Sequence, residues 1–261
     1  MIRALYTAST GMKAQLTNID VITNNLANTN TTGYKKSEAS FQDLLYQTLS
    51  LPGATTGPDS QHPTGQQVGV GTKLAGISKN FSTGSLSRTD RELDIAIAGA
   101  GFIPLRGPDG ETVYTRDGTF SLSAEGQIVN ANGLPVEGLG SVGANARSVN
   151  FSPDGQVSWF NEKGEETPIG QIQLALFLNS SGLEAMGGNL YQKSIASGEP
   201  QSLQPGVGGA GMIQQHFLEM SNVSIVEEMV KLISAQRAYD LNSKGIRAAD
   251  EMLQSANSIV R

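Results

Sequence analysis

All ten prolines of this 261-residue chain lie between Pro52 and Pro205, and of its 31 glycines only Gly11, Gly33 and Gly245 fall outside the stretch from Gly53 to Gly211. Proline removes a backbone donor and glycine is costly inside a helix, so long helices are confined to the two ends of the chain. The middle is left to turns and strands. In "PDGETVYTRDGTFSLSAEGQIVNANGLPVEG" the pairs Asp109-Gly110, Asp117-Gly118, Glu125-Gly126 and Asn132-Gly133 recur every seven or eight residues, a spacing that reads as a β-meander. A second "PDG" at residues 153–155 precedes the strand pattern "QVSWF". The run "GQIQLALFLN" reads as one further strand ahead of the Gly-rich exit "PGVGGAGM". Residues 51–80 read as extended or loop structure, since Pro and Gly interrupt every period. The expected fold class is α+β.

The ends carry helical periodicity. Leu5, Met12, Ile19 and Leu26 recur at seven-residue intervals in the first segment, with Ile2 and Leu16 at the complementary spacing. In the last segment Ile225, Leu232, Tyr239, Ile246, Leu253 and Val260 form an unbroken apolar column, while its partner column keeps Met229 and then turns polar. Such helices have a narrow seam rather than a broad core face. Helices over 1–26 and 218–261 would span ~39 and ~66 Å, leaving ~27 Å of the second without a partner. The expectation is that the ends order fully only when neighbouring copies cover them.

Composition excludes several functions. With no cysteine there is no disulfide, thiolate metal site or Cys nucleophile, and a net charge of -6 argues against nucleic acid as a partner. The longest weakly polar run, "IAIAGAGFIPL", is too short to span a bilayer, and the start lacks the continuous apolar stretch of a cleaved signal. The two histidines, His62 and His216, have no metal-spaced companion and read as surface residues. Asp90, Glu92 and Asp94 alternate in "RTDRELD"; on a strand they would share a face, either as a cation site or as a solvated strand entry flanked by Arg88 and Arg91. "GQQVGVGTK" lacks the spacing of a phosphate loop, and "GAGFIP" lacks the third Gly of a dinucleotide fingerprint. No catalytic residue, cofactor or metal is expected. A competing class is a secreted β-rich carbohydrate or cell-wall binder with Trp159 and Phe160 as its platform.

Three stretches carry a resemblance. "NNLANTNTTGYKK", "TGSLSRTDRELDIAIAGAGF" and "SNVSIVEEMVKLISAQRAYDLNSKGIRAADEML" resemble, in order and position, the signatures of bacterial flagellar rod and hook axial proteins. Length, the "FQDLLYQTL" continuation and the Pro/Gly-rich segment after it are most similar to the distal rod members, then the proximal rod members. The hook members have a much larger middle. Ile103 and Pro104 stand where the family often has a second aromatic, and Tyr34 replaces a common Phe.

The resemblance implies a discontinuous helical coiled-coil domain from residues 1–36 and 218–261 lining an inner tube, an extended connector over 37–80, and a β-rich outer domain over 81–217. It implies helical stacking of copies around a channel, proximal rod and hook proteins as axial neighbours, P-ring and L-ring bushing proteins around the shaft, and export by the flagellar type III apparatus without signal cleavage. No membrane-spanning segment or nucleic acid is implied. The subunit interface would use Leu5, Met12, Leu16, Ile19, Leu26, Ile225, Met229, Leu232, Tyr239, Ile246, Leu253 and Val260. The polar stretch closing the first helix would send the chain outward through Asn24, Asn25, Asn28, Asn30, Gly33, Tyr34 and Lys35. Asn28, Asn30 and Gly33 tolerate left-handed backbone, and Thr31 and Thr32 favour extension. Lys35 and Lys36 either complement the helix carbonyls, pair with a neighbour's carboxylate, or are solvated beside a loop.

Overall fold

The computed structural model describes residues 2–259 apart from 53–54, 58–59, 62–63, 109, 144 and 162–164, so His62 and Val260 lie outside the described residues. The chain divides into two compact units, one of residues 1–26, 37–78 and 225–261, the other of residues 27–36 and 79–224.

The first unit holds two long helices, α1 (Ile2–Ala27) and α2 (Ile225–Ile259). They run antiparallel. Gly11 faces Asn242 so closely that a Cβ on it would sit 3.0 Å from the Asn242 amide, and Asn25 donates to Glu228 at 3.2 Å. The second contact is displaced 14 residues from the first on both helices, in opposite directions along the sequence. The sequence reading began the second helix at residue 218. Residues Phe217–Glu219 instead pair as a strand with Leu86–Arg88, which delays the helix to Ile225. At 35 residues against 26, α2 outruns α1 by about 13 Å rather than the larger overhang expected.

The segment expected as an extended connector pairs, over its described residues, as a β ribbon. Ser37–Asp43 pairs with Thr72–Lys79, Tyr46–Ser50 antiparallel with Gln66–Gly69, and Thr55–Gly57 with Ser60–Gln61, each sheet having two strands. The ribbon is tied to α1 by Arg3 donating to the Gln47 amide oxygen at 3.1 Å and by the Thr72 amide donating to Thr10 Oγ1 at 3.4 Å.

The paired strands of the second unit are antiparallel, with one isolated parallel bridge between Ala100 and Ala210. A four-stranded sheet runs 184–187, 190–192, 112–115, 103–106, and a three-stranded meander runs 146–151, 156–161, 166–171. Of the meander expected over residues 108–138 only separate hairpins form, 103–106 with 112–115 and 121–122 with 128–129; Thr112–Thr115 pairs onward with Leu190–Gln192 rather than with Ser121–Leu122, so the continuous meander lies at 146–171 instead. The remaining pairings are non-local: Ile95–Ala98 pairs with Met212–Gln215 and Leu86–Arg88 with Phe217–Glu219, so the first and last strands of the unit are zipped together. The single strand expected over residues 170–179 is split, Glu166–Gln171 joining the meander and Leu174–Leu176 pairing with Gln201–Leu203. Ile95, Ile97, Ile103, Leu105, Phe120, Ile128, Ile172, Leu174 and Ile213 form the core, with Trp159 packed against it rather than standing free as a platform. Gly126, Gly133 and Gly155 take positive φ in their hairpins. Gly118 does not, and serves close packing instead, for a Cβ there would collide with the Ile95 carbonyl.

A second cluster is aromatic. Phe81, Phe102, Tyr114, Phe177 and Tyr191 meet edge to face at centroid distances of 4.9–5.9 Å. Burial, and after it the neighbouring Tyr34, raises the Tyr191 hydroxyl well above its ordinary value of 10.0. The unfolded chain ionises at that ordinary value while the folded one holds its proton, so stability is lost as pH rises beyond about 10. Replacing Tyr191 by Phe is expected to weaken that alkaline loss, measured as urea midpoints between pH 8 and 11.

Candidate functional site: the helix pair and the exit motif

The helix pair packs through small residues. Ala14, Val21, Ile22 and Asn25 are buried on α1, and Glu228, Ala235 and Ala249 on α2, the latter three falling on one seven-residue column with Asn242. The apolar columns expected to form the interface lie beside this face. Leu5, Met12, Ile19, Leu26, Leu232, Tyr239, Ile246 and Leu253 are half-buried, and Leu16, Ile225 and Met229 are exposed. Further exposed apolar residues on α2 are Val226, Val230, Ile233, Leu241 and Met252. Val226, Val230 and Ile233 follow i, i+4, i+7 spacing and so share one face.

The exit motif divides between the units. Asn25 belongs to the helix pair: its Nδ2 donates to the Ser37 carbonyl at 2.9 Å, and its Oδ1 accepts from the Ser37 amide at 2.9 Å. Asn24 is exposed. Residues 28–33 form tight turns instead of extending through Thr31 and Thr32, with the Thr31 amide on the Asn28 carbonyl at 3.2 Å and the Tyr34 amide on the Thr31 carbonyl at 3.4 Å. Among the described residues the only non-Gly positive φ values are at Asn189 and His216, so Asn28 and the exposed Asn30 are not left-handed. Gly33 is, at φ +67, and a Cβ on it would come 2.6 Å from the Asp117 amide nitrogen.

Beyond Gly33 the β unit encloses a group of charges. Lys35 is fully buried, its Nζ 2.5 Å from Glu219 Oε1 and donating to the Ser82 carbonyl at 2.7 Å. Glu219, equally buried, also accepts from the Gly84 amide at 2.9 Å and from Arg116 at 3.3 Å, and its backbone carbonyl accepts from Gly33 at 2.8 Å. The Arg116 guanidinium lies over the Phe102 ring at 5.4 Å. Lys79 lies over the buried Tyr34 ring at 5.1 Å. Burial lowers the affinity of Lys35 for its proton, and Glu219 opposes that effect. Asn222 ties adjacent segments together, accepting from the Lys36 amide at 2.8 Å and donating to the Asn80 carbonyl at 2.9 Å. Lys35 thus meets a carboxylate of its own chain, and the alternative of a solvated side chain or a neighbour's carboxylate is set aside.

Sequence reasoning missed Glu219, Arg116 and Asn222. The available signal was Glu219 itself, a single charge in the otherwise uncharged run "HFLEMSNV" at the end of a strand.

This arrangement staples together three segments of the β unit that are far apart in sequence. No described group of three or more His, Asp or Glu side chains is placed to hold a metal. In "RTDRELD", Asp90 and Glu92 are exposed while Asp94 is buried 3.6 Å from Arg91, so the three carboxylates do not share a strand face. His216, with positive φ, has Nδ1 3.1 Å from the Arg91 carbonyl. No helix among the described residues is long and apolar enough to cross a membrane.

Three family models match the chain: Flagella basal body rod protein over residues 5–35, Flagellar hook protein FlgE/F/G D1 domain over 96–159, and Flagellar basal body rod FlgEFG protein C-terminal over 214–259. The flagellar basal-body rod protein FlgG of Caulobacter vibrioides is 46% identical over 261 residues, covering 99% of each chain. Its counterparts in Buchnera aphidicola subsp. Schizaphis graminum and Bacillus subtilis are 43% and 39% identical, covering 99% and 100% of this chain and 100% of their own. The chain belongs to the FlgG family of flagellar basal-body rod proteins. It is a structural protein of the flagellar rod. The three buried charges come one from each family-matched segment, Lys35 from the first, Arg116 from the second and Glu219 from the third.

Removing the carboxylate strands two buried cations. Glu219→Ala is expected to destabilise the β unit by about 3–5 kcal/mol, whereas replacing Lys35, Arg116 and Glu219 together by Met should cost far less. Urea unfolding followed by Trp159 fluorescence measures both.

Proposed function

We propose that this chain is the repeating unit of the distal rod, copies stacking helically into a hollow shaft that carries torque to the hook and leaves a channel for export. The supporting observation is the exposed apolar face of α2, where Ile225, Val226, Met229, Val230 and Ile233 stand in solvent in a single copy. Each such side chain gains about 1.5–3 kcal/mol when fully buried, so a face of five is a strong drive to associate. A heterologous contact of this kind, repeated without closing, builds a helical polymer.

In this reading the helices form the coiled-coil inner wall, with Leu5, Met12, Leu16, Ile19, Leu26 and the α2 column flanking the intramolecular seam available to neighbouring copies. The β unit faces outward toward the P-ring and L-ring bushing proteins. Proximal rod and hook proteins cap the two ends. The chain crosses the periplasm by the type III route with no cleaved signal, and its role is structural, with no catalytic part assigned to it.

Val226→Asp with Ile233→Asp should abolish polymers in negative-stain microscopy while leaving the circular dichroism of the β unit unchanged. Polymers retained by the doubly charged variant would overturn the assignment of this face. The ribbon supplies stiffness: Phe41, Tyr46, Leu49, Val68, Leu74 and Ile77 are exposed on paired strands too thin to be stable alone in water, and Leu45 and Leu51 are exposed in the links beside them. Excising residues 46–72 should yield curved, pliable polymers, measured as a shortened persistence length in micrographs.

A further inference from the structure

The intramolecular face of α2 is made of residues that give little grip. On the column 228, 235, 242, 249 stand Glu, Ala, Asn and Ala, and one heptad apart on α1, at 25, 18, 11 and 4, stand Asn, Asn, Gly and Ala. Glu228 meets Asn25 and Asn242 meets Gly11, so by heptad spacing Ala235 stands level with Asn18 and Ala249 with Ala4. Side chains this small make shallow knobs. A slip of one heptad would set Ala235 against Gly11 and Asn242 against Ala4, again small beside small, so packing alone scarcely separates the two registers.

Along these two columns only the top layer distinguishes the registers, with Val21 and Ile22 of α1 packed beside it. Asn25 is 2% exposed and Glu228 is 2% exposed, and their 3.2 Å hydrogen bond joins residues 203 apart in sequence. The same Asn25 clasps both backbone groups of Ser37, which fixes its amide in one orientation, and Lys231 holds the other Glu228 oxygen at 2.7 Å. In the slipped register Glu228 would meet Asn18, which lines the same cavity, while Asn25 would bury an amide hydrogen without its carboxylate. A buried polar residue at one seam position is an established means of fixing helix register.

We infer that Asn25 and Glu228 are the register-setting residues of the α1–α2 pair, holding it against a one-heptad slip. The pair sets the height at which α2 stands against the start of the ribbon at Ser37, and in the proposed rod every copy must repeat that height. This consequence rests on the rod reading; the register itself does not.

The native chain has no cysteine, so disulfide trapping in the full-length protein reads register directly. Gly11→Cys with Asn242→Cys reports the observed register, and Ala4→Cys with Asn242→Cys reports the slipped one. With Glu228 intact the first pair should oxidise at least tenfold faster than the second. Adding Glu228→Ala should collapse that preference to within about twofold, through loss of the first cross-link and gain of the second, and Glu228→Gln, which can still accept from Asn25, should restore it. An unchanged preference in Glu228→Ala would overturn the inference. So would loss of both cross-links, which would make the pair a stabiliser without a register role. Failure to polymerise with the preference intact would count against the rod reading alone.

Discussion

The β unit is organised around one carboxylate. Glu219 is out of reach of water, and two cations from distant parts of the chain converge on it, with the Gly84 amide completing its hydrogen bonds. A buried charge group of this kind gives little net stability over an apolar core of equal volume, but it is intolerant of any missing member. That intolerance is useful in a structural part. It makes correct placement of the exit loop, the aromatic cluster and the final strand a single condition, because Lys35, Arg116 and Glu219 sit in those three places.

The helix pair follows a different logic. Its internal face is narrow and, apart from Val21 and Ile22, small-sided, and most of its large apolar side chains are turned elsewhere. A monomer that wished to be stable alone would bury Val226, Val230 and Ile233 and expose Ala235 and Ala249; here the reverse holds. The ribbon repeats the pattern in β form, with Tyr46 exposed on a two-stranded sheet and Leu45 90% exposed in the link before it. Both features are costly in an isolated copy and favourable in an assembly that covers them.

Much of this was legible from residue order. Confinement of Pro and most Gly to the middle placed the helices, and the spacing of Gly126, Gly133 and Gly155 marked three hairpins that do use positive φ. What could not be read was set by long-range pairing. The start of α2 was read seven residues early because nothing near Phe217 announces that Leu86–Arg88 will pair with it. Gly118 looked like its neighbours in the repeat yet is small to let the Ile95 backbone approach. The intramolecular face was not foreseen: periodicity points to the largest apolar residues, expected to meet neighbouring copies, whereas close approach within one chain uses Gly11, Ala235 and Ala249 beside them. Lys35 was undecidable because its partner lies 184 residues away.

The distance between Lys35 and Glu219 also orders events in time. A chain emerging from its N-terminus delivers the two cations long before the anion that neutralises them, since Glu219 arrives only in the last fifth of the 261 residues. Until then the pocket around Lys35 and Arg116 has nothing to close upon, and the zipping of the unit's first strands onto its last is equally impossible. A polypeptide cut short before that point lacks both the carboxylate and the last strands on which the β unit closes.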